Sequence, residues 1–143
     1  MTGKLGTLYL IPTVLSEDTQ HVVIPAGTID VIKQVTHYVA ENERTARRFI
    51  SSLKVHNSIE ALSIQLLNKD TLPSQLPELL SPLCEGVDMG LMSESGTPCL
   101  ADPGSLAVDY AHRKGIRVVP LVGPSSILLA LMASGLNGQR FAF

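Results

Sequence analysis

Apolar positions along this chain follow two rhythms. Thr7–Ile11 (T-L-Y-L-I), Val35–Ala40, Ser63–Leu67, Val87–Met92 and Ile116–Val122 are short apolar or alternating runs bounded by polar residues, glycine or proline, and each predicts a strand. The first ends at Pro12 and leads into a polar loop through Ser16, Glu17 and Asp18. From Glu43 the period changes, because Ala46, Phe49, Ile50 and Leu53 fall at i, i+3, i+4 and i+7, the stripe of an amphipathic helix. Leu76, Leu79, Leu80 and Leu83 repeat that spacing. Pro82 removes a backbone donor there and its ring meets the carbonyl of Glu78, so a kinked or divided helix is expected.

Two further helices are marked by their ends. Asp102 is expected to cap one, with Pro103 at its first position, Arg113 and Lys114 in its last turn and Gly115 after it. Ile127–Ala133 is apolar on every side, which predicts a buried helix terminated by Gly135. Strands and helices thus alternate from Thr7 to Gly135. That order predicts an α/β fold in three layers: a mostly parallel sheet with right-handed crossovers and helices on both faces. Open sheets of this kind bind ligands at the carboxyl ends of their strands. Attention therefore falls on the loops in Met89–Gly104 and Arg117–Ser126.

Composition narrows the reading. A length of 143 residues with 45% hydrophobic content suits one domain with a real core. A net charge of -2 gives no bulk attraction to nucleic acid, although a local basic patch can still hold phosphate. The apolar stretch Ile127–Ala133 is too short to cross a bilayer and Met1–Gly6 leads into no signal-peptide core, so a cytoplasmic protein without membrane contact is expected. Cys84 and Cys99 lack C-x-x-C spacing and are expected to be reduced. His21, His37, His56 and His112 are scattered, with no helical metal pair among them, and no metal is expected.

The loop Ser93-Glu94-Ser95-Gly96-Thr97-Pro98 puts a hydroxyl, a carboxylate and a glycine where backbone can approach a ligand closely. Gly123-Pro124-Ser125-Ser126 opens a helix whose free N–H groups and hydroxyls suit the polar edge of a ligand. Taken singly, the first reads equally as an ordinary turn and the second as a simple N-cap. Neither is a G-x-G-x-x-G fingerprint or a phosphate loop. The densest charge cluster runs from Glu41 to Arg48. Arg44 and Arg47 there suit a phosphate or carboxylate, while Glu43 and Arg47 also form a routine i, i+4 pair on a solvated helix face.

Four segments in order carry a resemblance over nearly the whole chain: G-T-L-Y-L-I-P-T at Gly6–Thr13, E-N-E-R-T-A-R-R at Glu41–Arg48, S-E-S-G-T-P-C-L-A-D-P-G at Ser93–Gly104, and V-V-P-L-V-G-P-S-S at Val118–Ser126. Together they resemble the S-adenosylmethionine-dependent tetrapyrrole methylase superfamily, nearest the branch that methylates a ribose 2′-hydroxyl of small-subunit ribosomal RNA. The resemblance implies two α/β domains with the methyl donor in the cleft between them. Residues 1–143 would be the N-terminal domain, with the C-terminal domain absent from this chain. An aromatic strand is expected to begin at Arg140–Phe143.

By the same resemblance, Gly96, Thr97 and Pro98 stand where the family has a Gly-Asp-Pro turn against the donor, with Ser93 before them. Ser125 and Ser126 match the second donor loop. Pro12 and Thr13 lie near the methyl-transfer site, Pro12 toward the donor and Thr13 toward the substrate. Two departures stand out. This chain has Pro12-Thr13-Val14-Leu15-Ser16-Glu17-Asp18 where the branch reads P-T-P-I-G-N-L, and Glu41-Asn42-Glu43-Arg44 where it reads E-D-T-R. By that resemblance the chain looks like a divergent paralogue.

The function implied is methyl transfer from S-adenosyl-L-methionine to a ribosomal RNA ribose. Glu94 and Glu17 are the carboxylates near enough in sequence to act as general base, and Arg44 and Arg47 would hold the anionic substrate. A homodimer is expected of the two-domain protein. Two other readings stay open: methylation of a tetrapyrrole carbon, and a donor-binding or regulatory module without transfer activity.

Overall fold

A computed structural model describes residues 3–143. Five short strands, β1 (Thr7–Leu10), β2 (His37–Ala40), β3 (Ser63–Leu66), β4 (Met89–Met92) and β5 (Arg117–Pro120), form one sheet in the order β3-β2-β4-β1-β5. Every pairing is parallel. Leu8 faces Met89 and Val118 on its two sides, and Tyr38 faces Ile64 and Gly90. The strands are trimmed relative to the apolar runs that announce them. Val35, Ile116 and Val122 belong to the connections, although Val35 and Ile116 remain buried.

Side chains alternate across the sheet and build a separate core on each face. On one face Ile11, Tyr38, Ala40 and Met92 pack with Ile24 and Ile32, from the segment around α1 (Gln20–Val23) and α2 (Ala26–Gln34), and with the full stripe of α3 (Glu43–Leu53): Ala46, Phe49, Ile50 and Leu53. On the other, Leu8, Val39, Met89 and Leu91 pack with Leu76 and Leu83 of α4 (Leu76–Leu79) and α5 (Ser81–Cys84), and with Ala107 and Ala111 of α6 (Gly104–Arg113). This is the expected three-layer arrangement. Pro82 does divide its helix, which breaks at Leu80 into α4 and α5.

Asn42 begins α3, its Oδ1 accepting from the Thr45 N–H at 3.0 Å, and Lys54 ends it in the left-handed region at φ 55°. Tyr38 locks α2 to the sheet. Its buried hydroxyl donates to the carbonyls of Val35 (2.8 Å) and Ile32 (3.1 Å), and burial pushes its phenol pKa well up. Helices α1 and α2 lie beyond the polar loop at Ser16–Asp18, in a stretch for which the sequence pattern predicts no element. Their β-branched residues Thr28, Ile29, Val31 and Ile32 argue for strand on propensity, yet Thr28 and Ile32, four apart, are both buried.

Three expectations need correction. Asp102 does not sit at the N-cap, because α6 starts at Gly104 with Pro103 as its cap; Asp102 acts from one residue farther out, accepting from Gly104 N–H (2.8 Å) and from Cys99 N–H with both oxygens. The carboxylate closes the loop as well as the helix. The apolar helix, α7 (Ser126–Ser134), is not buried: Leu128 is 54% and Met132 77% exposed. It follows β5, an edge strand itself only partly covered, and among the described residues nothing packs over its outer side. Arg140–Phe143 forms no strand, and Phe141 and Phe143 are exposed.

Candidate functional site

Because all strands run the same way, the loops after β1, β2, β4 and β5 share one edge of the sheet. Backbone hydrogen bonds sew three of them together. Thr13 N–H donates to Gly96 O and Thr97 N–H to Pro124 O, each at 3.0 Å, so the β4 loop is tied on one side to the β1 loop and on the other to the β5 loop. Glu41, directly after β2, joins them by accepting from the Glu94 N–H through Oε2 at 3.2 Å. Glycine permits the close approach. Gly96 has φ +67° and a Cβ there would lie 2.9 Å from Pro124 O, while a Cβ on Gly123 would collide with the Pro12 ring.

These loops enclose a hollow of about 280 Å³. Of the residues expected to meet the donor, Ser93, Gly96, Thr97, Ser125 and Ser126 line it; Pro12 and Pro98 are buried and do not. The Ser93 hydroxyl donates to Ser95 O and Gly96 O at 3.1 and 3.3 Å, which fixes the turn. Ser125 caps α7, accepting from Leu128 N–H, so the helix N-terminus opens into the hollow beside Ser126 and Ile127. Uncapped N–H groups there suit an anionic or carbonyl edge.

The hollow also has walls that sequence reasoning missed. Glu41, Leu100, Ala101 and Asp102 line it. Ala101 and Cys99 both carry positive φ, 63° and 71°, a strained conformation for residues with a Cβ. The position of Glu41 just after a strand was the available signal; the Asp102 role had none, since it depends on that loop. Burial, and then the Asp102 carboxylate, push the Cys99 thiol up to about 12.

A second hollow, of about 360 Å³, lies between the β1 loop and α3 and meets the first at Glu94 and Ser95. Thr13 and both candidate bases, Glu17 and Glu94, line it. Glu17 is held by Arg48, an unanticipated lining residue, at 3.1 Å. Arg44 and Arg47 line neither hollow. Arg44 is exposed and makes no ion pair among the described residues. Arg47 is engaged twice, with Glu43 at 3.0 Å and with the Ile59 carbonyl at 3.1 Å, and lines a shallow basin with Lys54 and His56. Among the described residues no cluster of His, Cys, Asp and Glu gathers to hold a metal, and no helix is long and apolar enough to cross a membrane.

No protein-family model matches the sequence. Comparison with curated proteins does find relatives. The chain is 34% identical over 144 residues to a ribosomal RNA small subunit methyltransferase I of Xylella fastidiosa, an alignment covering 96% of this chain and 48% of that protein. Proteins of the same name from Escherichia coli O157:H7 (33% over 139 residues, 96% and 46%) and Buchnera aphidicola from Acyrthosiphon pisum (31% over 139 residues, 97% and 46%) match in the same way. The chain is thus similar, over nearly all of its own length, to one part of each of these methyltransferases. It spans about half the length of the curated relatives it matches. The segments that meet at the carboxyl edge are those that carry the resemblance in sequence: Gly6–Thr13, Glu41–Arg48, Ser93–Gly104 and Val118–Ser126.

Proposed function

We propose that this chain supplies the S-adenosyl-L-methionine-binding half of a methyltransferase acting on a ribose 2′-hydroxyl of small-subunit ribosomal RNA. The observation that carries the reading is the pair of hydrogen bonds from Thr13 to Gly96 and from Thr97 to Pro124, which make one floor from three loops. The residues fit the donor. The hollow beside that floor offers hydroxyls at Thr97 and Ser126, a helix N-terminus and the backbone of the Gly96 turn. S-adenosyl-L-methionine supplies a methyl already activated on a sulfonium sulfur, so the protein's contribution is orientation and exclusion of water.

Gly96 and Thr97 would present backbone to the donor, and Ser125 holds α7 so that Ser126 and the first N–H groups face it. Pro12 and Pro98, both buried, shape the floor. Glu94 is the better placed general base, since it stands where the two hollows join, whereas Glu17 is occupied by Arg48. Thr13 belongs to the acceptor side, and Arg44, exposed and in no ion pair among the described residues, suits the phosphates of an approaching RNA strand. Relatives named for ribosomal RNA favour RNA over a tetrapyrrole as acceptor. Since those relatives are about twice as long, a second domain is proposed to close the cleft over the donor.

The test is transfer of labelled methyl from S-adenosyl-L-methionine to fractionated ribosomal RNA by the product of the complete gene. Label is expected in small-subunit RNA and in alkali-resistant dinucleotides, the mark of a 2′-O-methyl group. Label confined to a base, or none in RNA, refutes the reading.

A further inference from the structure

Helix α3 carries its cations on the side away from the core. With Ala46, Phe49, Ile50 and Leu53 turned inward, a turn of 3.6 residues sets Arg44, Arg47, Arg48 and Ser51 on the opposite face, and Lys54 follows as the C-cap. Glu43 is the helix's only carboxylate. Because α3 leaves β2 at the carboxyl edge and returns to the start of the parallel strand β3, its last turn lies at the amino edge of the sheet, away from the donor loops. His56 fastens that end, its Nε2 donating to Ile32 O of α2 at 2.9 Å.

A shallow basin of about 640 Å³ opens there. Its lining sets Arg47, Arg48 and Lys54 against one carboxylate, Glu60, which is itself engaged by the Ser58 hydroxyl at 3.1 Å. In a chain of net charge -2, this is a local surplus of positive charge. The pairs that temper it from outside the basin are exposed: Glu43 holds Arg47 and Glu17 holds Arg48, the carboxylates being 54% and 79% exposed. Such pairs are weak and give way to a phosphate, which a guanidinium grips through two parallel N–H bonds.

Lys54 adds a second argument. It makes no ion pair among the described residues and sits at φ 55°, in the left-handed region where glycine is the usual helix terminator. Glycine would end the helix at less cost, so what lysine brings to the position is its charge.

Resting on the ribosomal RNA reading above, we propose that this basin docks the phosphate backbone of an RNA segment remote from the nucleotide that is methylated. The length of α3, 11 residues or about 16 Å, separates it from the donor edge. Contact here adds affinity without touching the reacting groups.

The test uses the product of the complete gene as wild type, Lys54→Gln, Lys54→Gly and Ser51→Glu, the last placing a carboxylate among the basin's cations. Binding to small-subunit ribosomal RNA is followed across salt concentrations, with methyl transfer, donor affinity and melting temperature measured alongside. Each variant is expected to bind RNA about three- to tenfold more weakly, and in the Lys54 variants the slope of log affinity against log salt should be shallower by about 1. KM for RNA rises in step while kcat and donor affinity hold. Lys54→Gly should melt no lower than wild type. Undiminished RNA affinity in Lys54→Gln and Ser51→Glu, an equal loss of donor affinity, or a lower melting temperature for Lys54→Gly overturns the proposal. So does tighter binding of polyglutamate than of RNA at equal salt, the mark of an acidic protein partner. RNA binding that depends on these residues without methyl transfer upholds the basin and defeats the methyltransferase reading; methyl transfer to RNA that every variant leaves unchanged does the reverse.

Discussion

Gly96 shows how one residue holds the site together. Its φ of +67° lies in the left-handed region, and any Cβ would press on Pro124 O, the acceptor that ties the β4 loop to the β5 loop. Gly96→Ala should therefore lose about 1–2 kcal/mol from the backbone conformation alone, with weaker donor binding in the folded fraction. Urea unfolding measures the first part, and unchanged stability would show that the turn is not held as described. The two cysteines provide a second test. Cys84 is exposed, whereas burial and Asp102 raise the Cys99 pKa from 9.0 to about 12. At pH 8 a maleimide should label Cys84 and spare Cys99, because the thiolate is the reactive form. The thiol's folded value lies above its unfolded one. Its contribution to stability is thus complete below about pH 9 and is lost as pH rises toward 12. Equal labelling rates would contradict this. At this scale Gly96, Thr97 and Ser125 were legible because glycine and proline announce turns. The roles of Glu41, Asp102 and Arg48 were not, since each depends on a partner distant in sequence or on a curled loop.

Helices α3 and α7 show what an apolar pattern does and does not specify. In α3 the stripe at i, i+3, i+4 and i+7 is one-sided, so it names both the helix and its buried face, and all four residues are buried. Phe49→Ala should cost about 3–5 kcal/mol, as for other buried aromatic truncations. Helix α7 is apolar on all sides, a pattern that calls for cover without identifying what provides it. Met132→Gln should change the stability of this chain by no more than about 0.5 kcal/mol, because the side chain is 77% exposed. Paired denaturation curves compare the two variants. A large loss from Met132→Gln would mean that α7 is covered after all. Helix α2 was illegible for a different reason: tertiary burial of Thr28 and Ile32 overrides their β-branched preference.

For the whole molecule, alternation of strand and helix signals was enough to predict a mostly parallel sheet with a layer on each face. The strand order β3-β2-β4-β1-β5 was not legible, because periodicity describes each strand's faces and says nothing of its neighbours. Nor was the division of the carboxyl edge into two hollows, which arises from Thr13 and Glu94 reaching across loops. The central claim is that the loops after β4 and β5 hold the methyl donor. The most direct measurement is amide chemical-shift mapping of this chain with S-adenosyl-L-methionine, a method that registers weak binding. The account predicts shifts at Ser93–Thr97, Ala101–Asp102 and Ser125–Ile127, with Glu41 responding across the loop. Shifts confined to the opposite edge of the sheet, or none at millimolar donor, would contradict it.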